Sequence, residues 1–164
     1  RSRELTESNV RALRDEIVNL GPYAFEELSF EIAVERCIPV WHRRYDCSVS
    51  VDAHVDLLEP EMANDLFRIT QEAVANACKH GEAQRVAVTL ECAGGHADLR
   101  IVDNGKGFGD GDPLRQQEPG HIGLASMRER AELMQGTLNI RSKPGRTEVH
   151  VRVPLASTLR RNRR

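Results

Sequence analysis

The chain has 164 residues, 40% of them hydrophobic and only 4% aromatic, which suits one domain with an aliphatic core. Its 23 basic and 25 acidic residues nearly cancel, and that balance argues against a general nucleic-acid binder. No apolar run approaches the roughly 20 residues needed to span a bilayer, and the opening residues do not read as a signal peptide.

Val10, Leu13, Ile17 and Leu20 stand at a/d spacing among charges, the narrow seam of an amphipathic helix that pairs with partner helices or covers a core. Gly21-Pro22 ends it. Phe25, Leu28 and Ile32 suggest a second helix, which Pro39 is expected to break or kink. Val49 and Val51 alternate with polar residues and predict a strand near Cys47–Val51. Pro60 opens a long helix carrying Met62, Leu66, Phe67, Ile69, Ala73, Val74 and Ala77, with a stop near His80-Gly81. Val86, Val88 and Leu90, then Leu99 and Ile101, predict a hairpin turning at Gly94-Gly95. A polar, glycine-rich stretch fills about residues 105–120. A helix over Gly123–Met134, stopped near Gly136, precedes a closing hairpin around Pro144-Gly145. This order predicts a two-layer α+β sandwich, with helices on one face of a mixed, mainly antiparallel sheet.

Cys37, Cys47, Cys78 and Cys92 have neither metal-knuckle nor redox-pair spacing, so reduced and largely buried thiols are expected. The tail Arg160, Arg161, Arg163 and Arg164 reads as a solvated terminus. The chain opens without an initiator methionine and in mid-pattern, which suggests a piece of a longer protein. The expected organisation is a dimerisation or linker helix over 1–22, a domain over 23–157 and a basic tail over 158–164.

Three clusters could carry chemistry. Asn76 stands four residues after Glu72, and Lys79 and His80 stand three and four after Asn76, which puts them on one side of the long helix. A solvated helix surface shows similar charges, but an asparagine is a poor interior helix former. Its amide oxygen suits Mg²⁺, Lys79 could neutralise phosphate, and Glu72 could orient or deprotonate a water or hydroxyl. The second cluster is Asp103-Asn104-Gly105-Lys106-Gly107-Phe108. Asp103 shares strand parity with Leu99 and Ile101 and should point to the apolar side, where a carboxylate needs a donor such as a purine amine. The bland alternative is a simple Asp-Asn-Gly turn. The third is Gly120-His121-Ile122-Gly123-Leu124, a glycine-to-helix junction able to expose amides to phosphate, though such junctions are common.

Together, in this order, they resemble the nucleotide-binding boxes of the ATPase superfamily of gyrase, heat-shock chaperone, histidine kinase and MutL. Residues 71–80 are similar to its N box, 103–108 to its G1 box, and 121–130 to its G2 box. The Met127-Arg128-Glu129-Arg130 helix resembles sensor histidine kinases of the nitrate-sensor and desaturase-sensor type. The resemblance implies a Bergerat fold that binds ATP and Mg²⁺, in a cytoplasmic domain of a soluble or membrane-anchored parent. It assigns the adenine amine to Asp103, Mg²⁺ to Asn76 and catalytic assistance to Glu72 and Lys79. Gly105, Gly107 and Gly123 would shape the pocket, with His80, Phe108, His121, Ile122, Leu124 and Thr147 completing the ATP site and residues 108–121 forming a lid. The family's last box reads Gly-x-Gly-Thr, whereas Gly145-Arg146-Thr147 here has one glycine fewer.

The implied function is transfer of the γ-phosphoryl group to a histidine outside this chain, relayed to a response regulator, by a parent that dimerises through upstream helices and binds no nucleic acid directly. None of the six histidines has the helical acidic setting of a phosphoacceptor. The rival readings are an anti-sigma-factor type serine kinase and a non-catalytic nucleotide-binding regulatory module.

Overall fold

A computed structural model of the chain describes residues 22–55, 58–109 and 122–155. The helix expected up to Leu20, most of the 108–121 segment, His121 and the basic tail lie outside the described residues.

A short 3₁₀ turn, Pro22–Glu26, leads to helix α1, Phe30–Tyr45. The expected helical run of Phe25, Leu28 and Ile32 is therefore divided. Ser29 takes the N-cap position and accepts the Ile32 N–H at 3.3 Å, so the helix starts after Leu28. Ile32 is left 44% exposed, away from the core. Pro39 does not break α1 either. It lies on the solvent side, where water can satisfy the carbonyl that loses its amide partner, and the helix continues to Tyr45. Asp46, in the left-handed region at φ 52°, ends it.

Strand β1, Ser48–His54, precedes α2, Pro60–Lys79, the spine of the domain. Leu66, Phe67, Ile69 and Val74 of α2 are fully buried. Each removes enough apolar surface from water to contribute roughly 1.5–3 kcal/mol. Strands β2, Arg85–Ala93, and β3, His96–Asp103, form the expected hairpin, with Gly94 and Gly95 at φ 59° and 79°. Helix α3, Ile122–Leu133, buries Leu124, Met127 and Ala131 at helical spacing, and Arg130 reaches Asp65 of α2 at 3.1 Å. Its chain reverses through Gln135 at φ 59°, with Gly136 donating to the Ala131 carbonyl at 2.8 Å. Strands β4, Thr137–Lys143, and β5, Arg146–Pro154, close the chain.

The sheet has five strands in the order β1-β2-β3-β5-β4, parallel only between β1 and β2. Val86, Val88, Leu90, Leu99, Ile101, Val149, Val151 and Val153 point inward in alternation and meet the helices. The opposite face is polar, with Arg100 and Arg146 paired to Glu148 and His150 bonded to Asp98. The two-layer α+β sandwich is the architecture expected from the sequence. All four cysteines are free; Cys37 and Cys47 are buried, and burial pushes the Cys37 thiol up to about 12 against the weaker influence of Arg68 and Gln71.

Candidate nucleotide site

Between α2, α3 and the ends of β3 and β5 lies a small, mainly apolar cavity that opens to solvent. The strand parity of Asp103 is as the alternation implies: Leu99, Ile101 and Asp103 all face the helices, and Asp103 is 9% exposed. Burial raises the pKa of its carboxyl, and the Gly105 N–H, donating to Oδ1 at 2.8 Å, only partly offsets this. Oδ2 has no protein partner among the described residues. Thr147 is the register partner of Asp103 across β3 and β5 and is buried on the same wall.

The turn after Asp103 is held from both sides. Asn104 Oδ1 accepts the N–H groups of Gln84 and Arg85, each at 2.9 Å. Lys106 N–H donates to the Gly81 carbonyl and Gly145 N–H to the Gly105 carbonyl, both at 2.8 Å. Gly105 sits so close to Gly81 that a Cβ would lie 2.5 Å from that carbonyl oxygen. Gly107, at φ 79°, allows Phe108 N–H to reach Ser142 Oγ at 3.0 Å.

Helix α2 contributes Ala73, Asn76, Ala77 and His80 to the cavity, with Gly81 just beyond its end. Asn76 is 8% exposed, and its Nδ2 is buried without a hydrogen-bond partner. Such an orphan costs about 1–3 kcal/mol unless a ligand satisfies it. Rotating the amide by half a turn puts its oxygen in the same place.

Of the residues singled out in the sequence, Asn76, His80, Asp103, Gly107, Phe108, Leu124 and Thr147 all line this cavity. Glu72 and Lys79 do not. They line a neighbouring groove with Trp41, Arg44, Tyr45 and Arg68. The four polar residues of α2 thus divide between two flanks, because the N-terminus of α3 packs over the helix between them. At that junction a side chain on Gly123 would collide with the Glu72 carboxylate, so glycine lets α3 bring its positive end to Glu72. Lys79 Nζ stands 6.0 Å from the Tyr45 ring centroid. Gly105 lies behind Asp103 rather than in the cavity wall, and neither His121 nor the Ile122 side chain is among the described parts. Ala73, Ala77, Gly81, Met127 and Val149 complete the lining; Ala73, Ala77 and Met127 fall within the boxes, but none of the five is singled out there as a site residue. Their small or apolar side chains carry no signal beyond that of ordinary core positions.

A long helix and a capping helix lie over a mixed sheet, with a buried carboxylate at a strand end. The chain belongs to the family described as histidine kinase-, DNA gyrase B-, and HSP90-like ATPase, which it matches over residues 61–157. It is 41% identical over 100 residues to the signal transduction histidine-protein kinase/phosphatase DegS of Bacillus subtilis (strain 168), covering 60% of this chain and 26% of DegS. It is 28% identical over 150 residues to the sensor histidine kinase LiaS of the same organism, covering 91% of this chain and 40% of LiaS. The chain thus spans less than half the length of either relative. Among solved structures, the ATP-binding domain of PrrB from Mycobacterium tuberculosis superposes with a TM-score of 0.61 at 26% identity, over 77% of this chain and 94% of that one. The histidine kinase domain of a blue-light activated kinase from Erythrobacter litoralis shares the fold, with a TM-score of 0.66 at 18% identity over 80% of this chain and 63% of that one. No helix among the described residues is long and apolar enough to cross a membrane.

Proposed function

We propose that this domain binds ATP with Mg²⁺ and is the catalytic part of a sensor histidine kinase that passes the γ-phosphoryl group to a histidine outside the domain, for relay to a response regulator. The observation that carries the reading is Asp103: a buried carboxylate with one oxygen on the Gly105 amide and the other facing a cavity without a cationic partner. That arrangement awaits a neutral donor, and the exocyclic amine of adenine supplies one. Ala73, Ala77, Leu124, Met127 and Val149 give the apolar walls a purine ring needs.

Mg²⁺ fits the donor set. Among the described residues no group of three or more His, Cys, Asp or Glu could hold a metal alone. Mg²⁺ bound with a nucleotide needs few protein ligands, and the orphaned Asn76 amide offers one hard oxygen. The ion would neutralise charge on the phosphates when bound.

The remaining steps belong to the chain's own residues. Asp103 and Thr147 hold the base, and His80 lines the same cavity. The phosphates then extend toward the groove where Glu72 and Lys79 lie. Lys79 is a point charge for the γ-phosphate, and Glu72, held at the start of α3, orients or deprotonates the attacking imidazole. Gly105, Gly107 and Gly123 make the close approaches described above. The lid assigned to residues 108–121 lies mostly outside the described residues, as do His121 and the Ile122 side chain, while Leu124 lines the cavity. The parent dimerises through helices upstream of this domain.

The histidines within the described residues have no route to in-line attack. His42 is exposed at the end of α1, His54 pairs with Asp52 on β1, His96 contacts Gly94 in its hairpin, and His150 bonds Asp98 on the open face. His80 is exposed at the rim of the nucleotide cavity, where the end of α2 fixes it. The chain should therefore bind ATP without labelling itself, and a longer protein carrying the acceptor helix should become labelled. Incubation with γ-labelled ATP and Mg²⁺ tests this; acid-labile label on a histidine of the isolated chain would relocate the acceptor, and absence of ATP binding would remove the reading altogether.

A further inference from the structure

Ser142 stands on β4, one strand beyond the cavity wall, and has no role in the reading above. Its hydroxyl nevertheless accepts the Phe108 N–H at 3.0 Å and lies 2.8 Å from the Thr147 hydroxyl. Gly107 packs over it so closely that a Cβ there would come within 2.7 Å of Ser142 Oγ. A serine hydroxyl has one proton to give. Among the described residues, Thr147 Oγ1 is the acceptor within its reach. Were Thr147 to donate to Ser142 instead, the Ser142 proton would have no acceptor among the described residues. The arrangement that gives each of these groups a partner among the described residues runs one way, from Phe108 N–H to Ser142 Oγ, and from Ser142 O–H to Thr147 Oγ1. The Thr147 proton is then left for the cavity, which Thr147 lines beside its strand partner Asp103.

We propose that Ser142 is a positioning residue that fixes the Thr147 hydroxyl as a donor into the cavity, so that Asp103 and Thr147 together read the adenine edge. Adenine presents a donor amine beside an acceptor ring nitrogen, which matches a carboxylate beside a hydroxyl donor. Hypoxanthine presents a carbonyl beside a ring N–H and opposes both. Without Ser142 the Thr147 hydroxyl is free to turn and accept the ring N–H, which removes one of the two mismatches. The same relay ties the backbone at Phe108, where the 108–121 segment begins, to the residue that touches the base. The inference rests on the ATP-binding reading.

The test is calorimetric titration of the whole chain with ADP and with inosine diphosphate, in the wild type and in Ser142→Ala. The expected result is a preference for ADP that falls roughly three- to tenfold in the variant, the worth of one hydrogen-bond mismatch. A purely structural loss would weaken both nucleotides alike and leave their ratio unchanged. Ser142→Cys, nearly isosteric and a poor donor, carries the same expectation should the alanine variant fail to fold. An unchanged ratio in a folded variant that still binds ADP overturns the role of Ser142. A wild type that binds neither nucleotide fails the ATP-binding reading instead.

Discussion

Replacing Asp103 with asparagine changes one oxygen to an NH₂ group inside a nearly closed wall. In the wild type the carboxylate satisfies the Gly105 N–H through Oδ1 and keeps Oδ2 for the base. The asparagine amide has a single oxygen. If it stays on Gly105, its NH₂ meets the adenine amine donor to donor; if it turns to the base, the Gly105 amide is abandoned in a buried position. Either way one hydrogen bond to a charged acceptor is lost and a mismatch remains, together about 2–4 kcal/mol, or roughly 30- to 1,000-fold in Kd. The effect on the empty domain runs the other way. Burial raises the folded-state pKa of Asp103 above its unfolded value, so its favourable contribution to folding is present at low pH and is lost as pH rises through the folded pKa. Asp103→Asn removes that loss, so its Tm relative to wild type should climb between pH 4 and pH 8. Titration with ADP and thermal unfolding across this range measure both effects. Unchanged nucleotide affinity in a folded variant would refute the assignment of Asp103 to the base, and a flat Tm difference would refute the account of its burial.

Other substitutions probe the remaining walls. Asn76→Ala should leave the fold intact, since the amide has an unpartnered Nδ2, and should abolish the gain in ATP affinity produced by Mg²⁺; equal Mg²⁺ dependence in both proteins rejects the ligand role. Glu72→Gln should keep ATP binding within about threefold while lowering phosphoryl transfer of a longer protein roughly 10²- to 10⁴-fold; equal transfer rates would confine Glu72 to the start of α3. Gly107→Ala forces a side chain into the left-handed region against Ser142, and should cost about 1–3 kcal/mol in urea unfolding; a neutral result would show that the turn relaxes without strain.

The parts of this protein legible in its sequence are those with a period. Alternation over Leu99, Ile101 and Asp103 is enough to place a carboxylate on the core side, and the apolar repeat of α2 sets its buried face. Gly94-Gly95 and Pro144-Gly145 mark both hairpins. The parts that escape depend on what packs where. A helical wheel groups Glu72, Asn76, Lys79 and His80, but it does not show that α3 lands between them and divides them into two sites. The start of α1 is obscured because Phe25 and Leu28 continue the spacing of Ile32, although Ser29 offers a cap. Ser142 carries no signal, since its partner Phe108 is 34 residues away and no local pattern links them.

The shortened last box leaves Thr147 and the turn after Asp103 in register. Lys143 pairs with Arg146, so Pro144 and Gly145 alone make the β4–β5 turn, with Gly145 at φ 87°. Proline followed by a glycine of positive φ suits a type II turn. The glycine absent from the Gly-x-Gly-Thr pattern shortens this turn without moving the strand register, for Thr147 still stands opposite Asp103. The residue directly before Thr147 is Arg146, whose guanidinium pairs with Glu148 at 3.2 Å on the polar face of the sheet, away from the cavity. Gly145 also keeps the contact that matters to the Asp103 turn, its N–H on the Gly105 carbonyl at 2.8 Å. Inserting a glycine between Gly145 and Arg146 should therefore change ADP affinity by less than about threefold, less than the value of a single net hydrogen bond at the upper end of its range. Titration of the insertion variant measures this. A gain of tenfold or more would mean that the short turn weakens the site, and a loss of that size would mean that the Gly145–Gly105 contact depends on it.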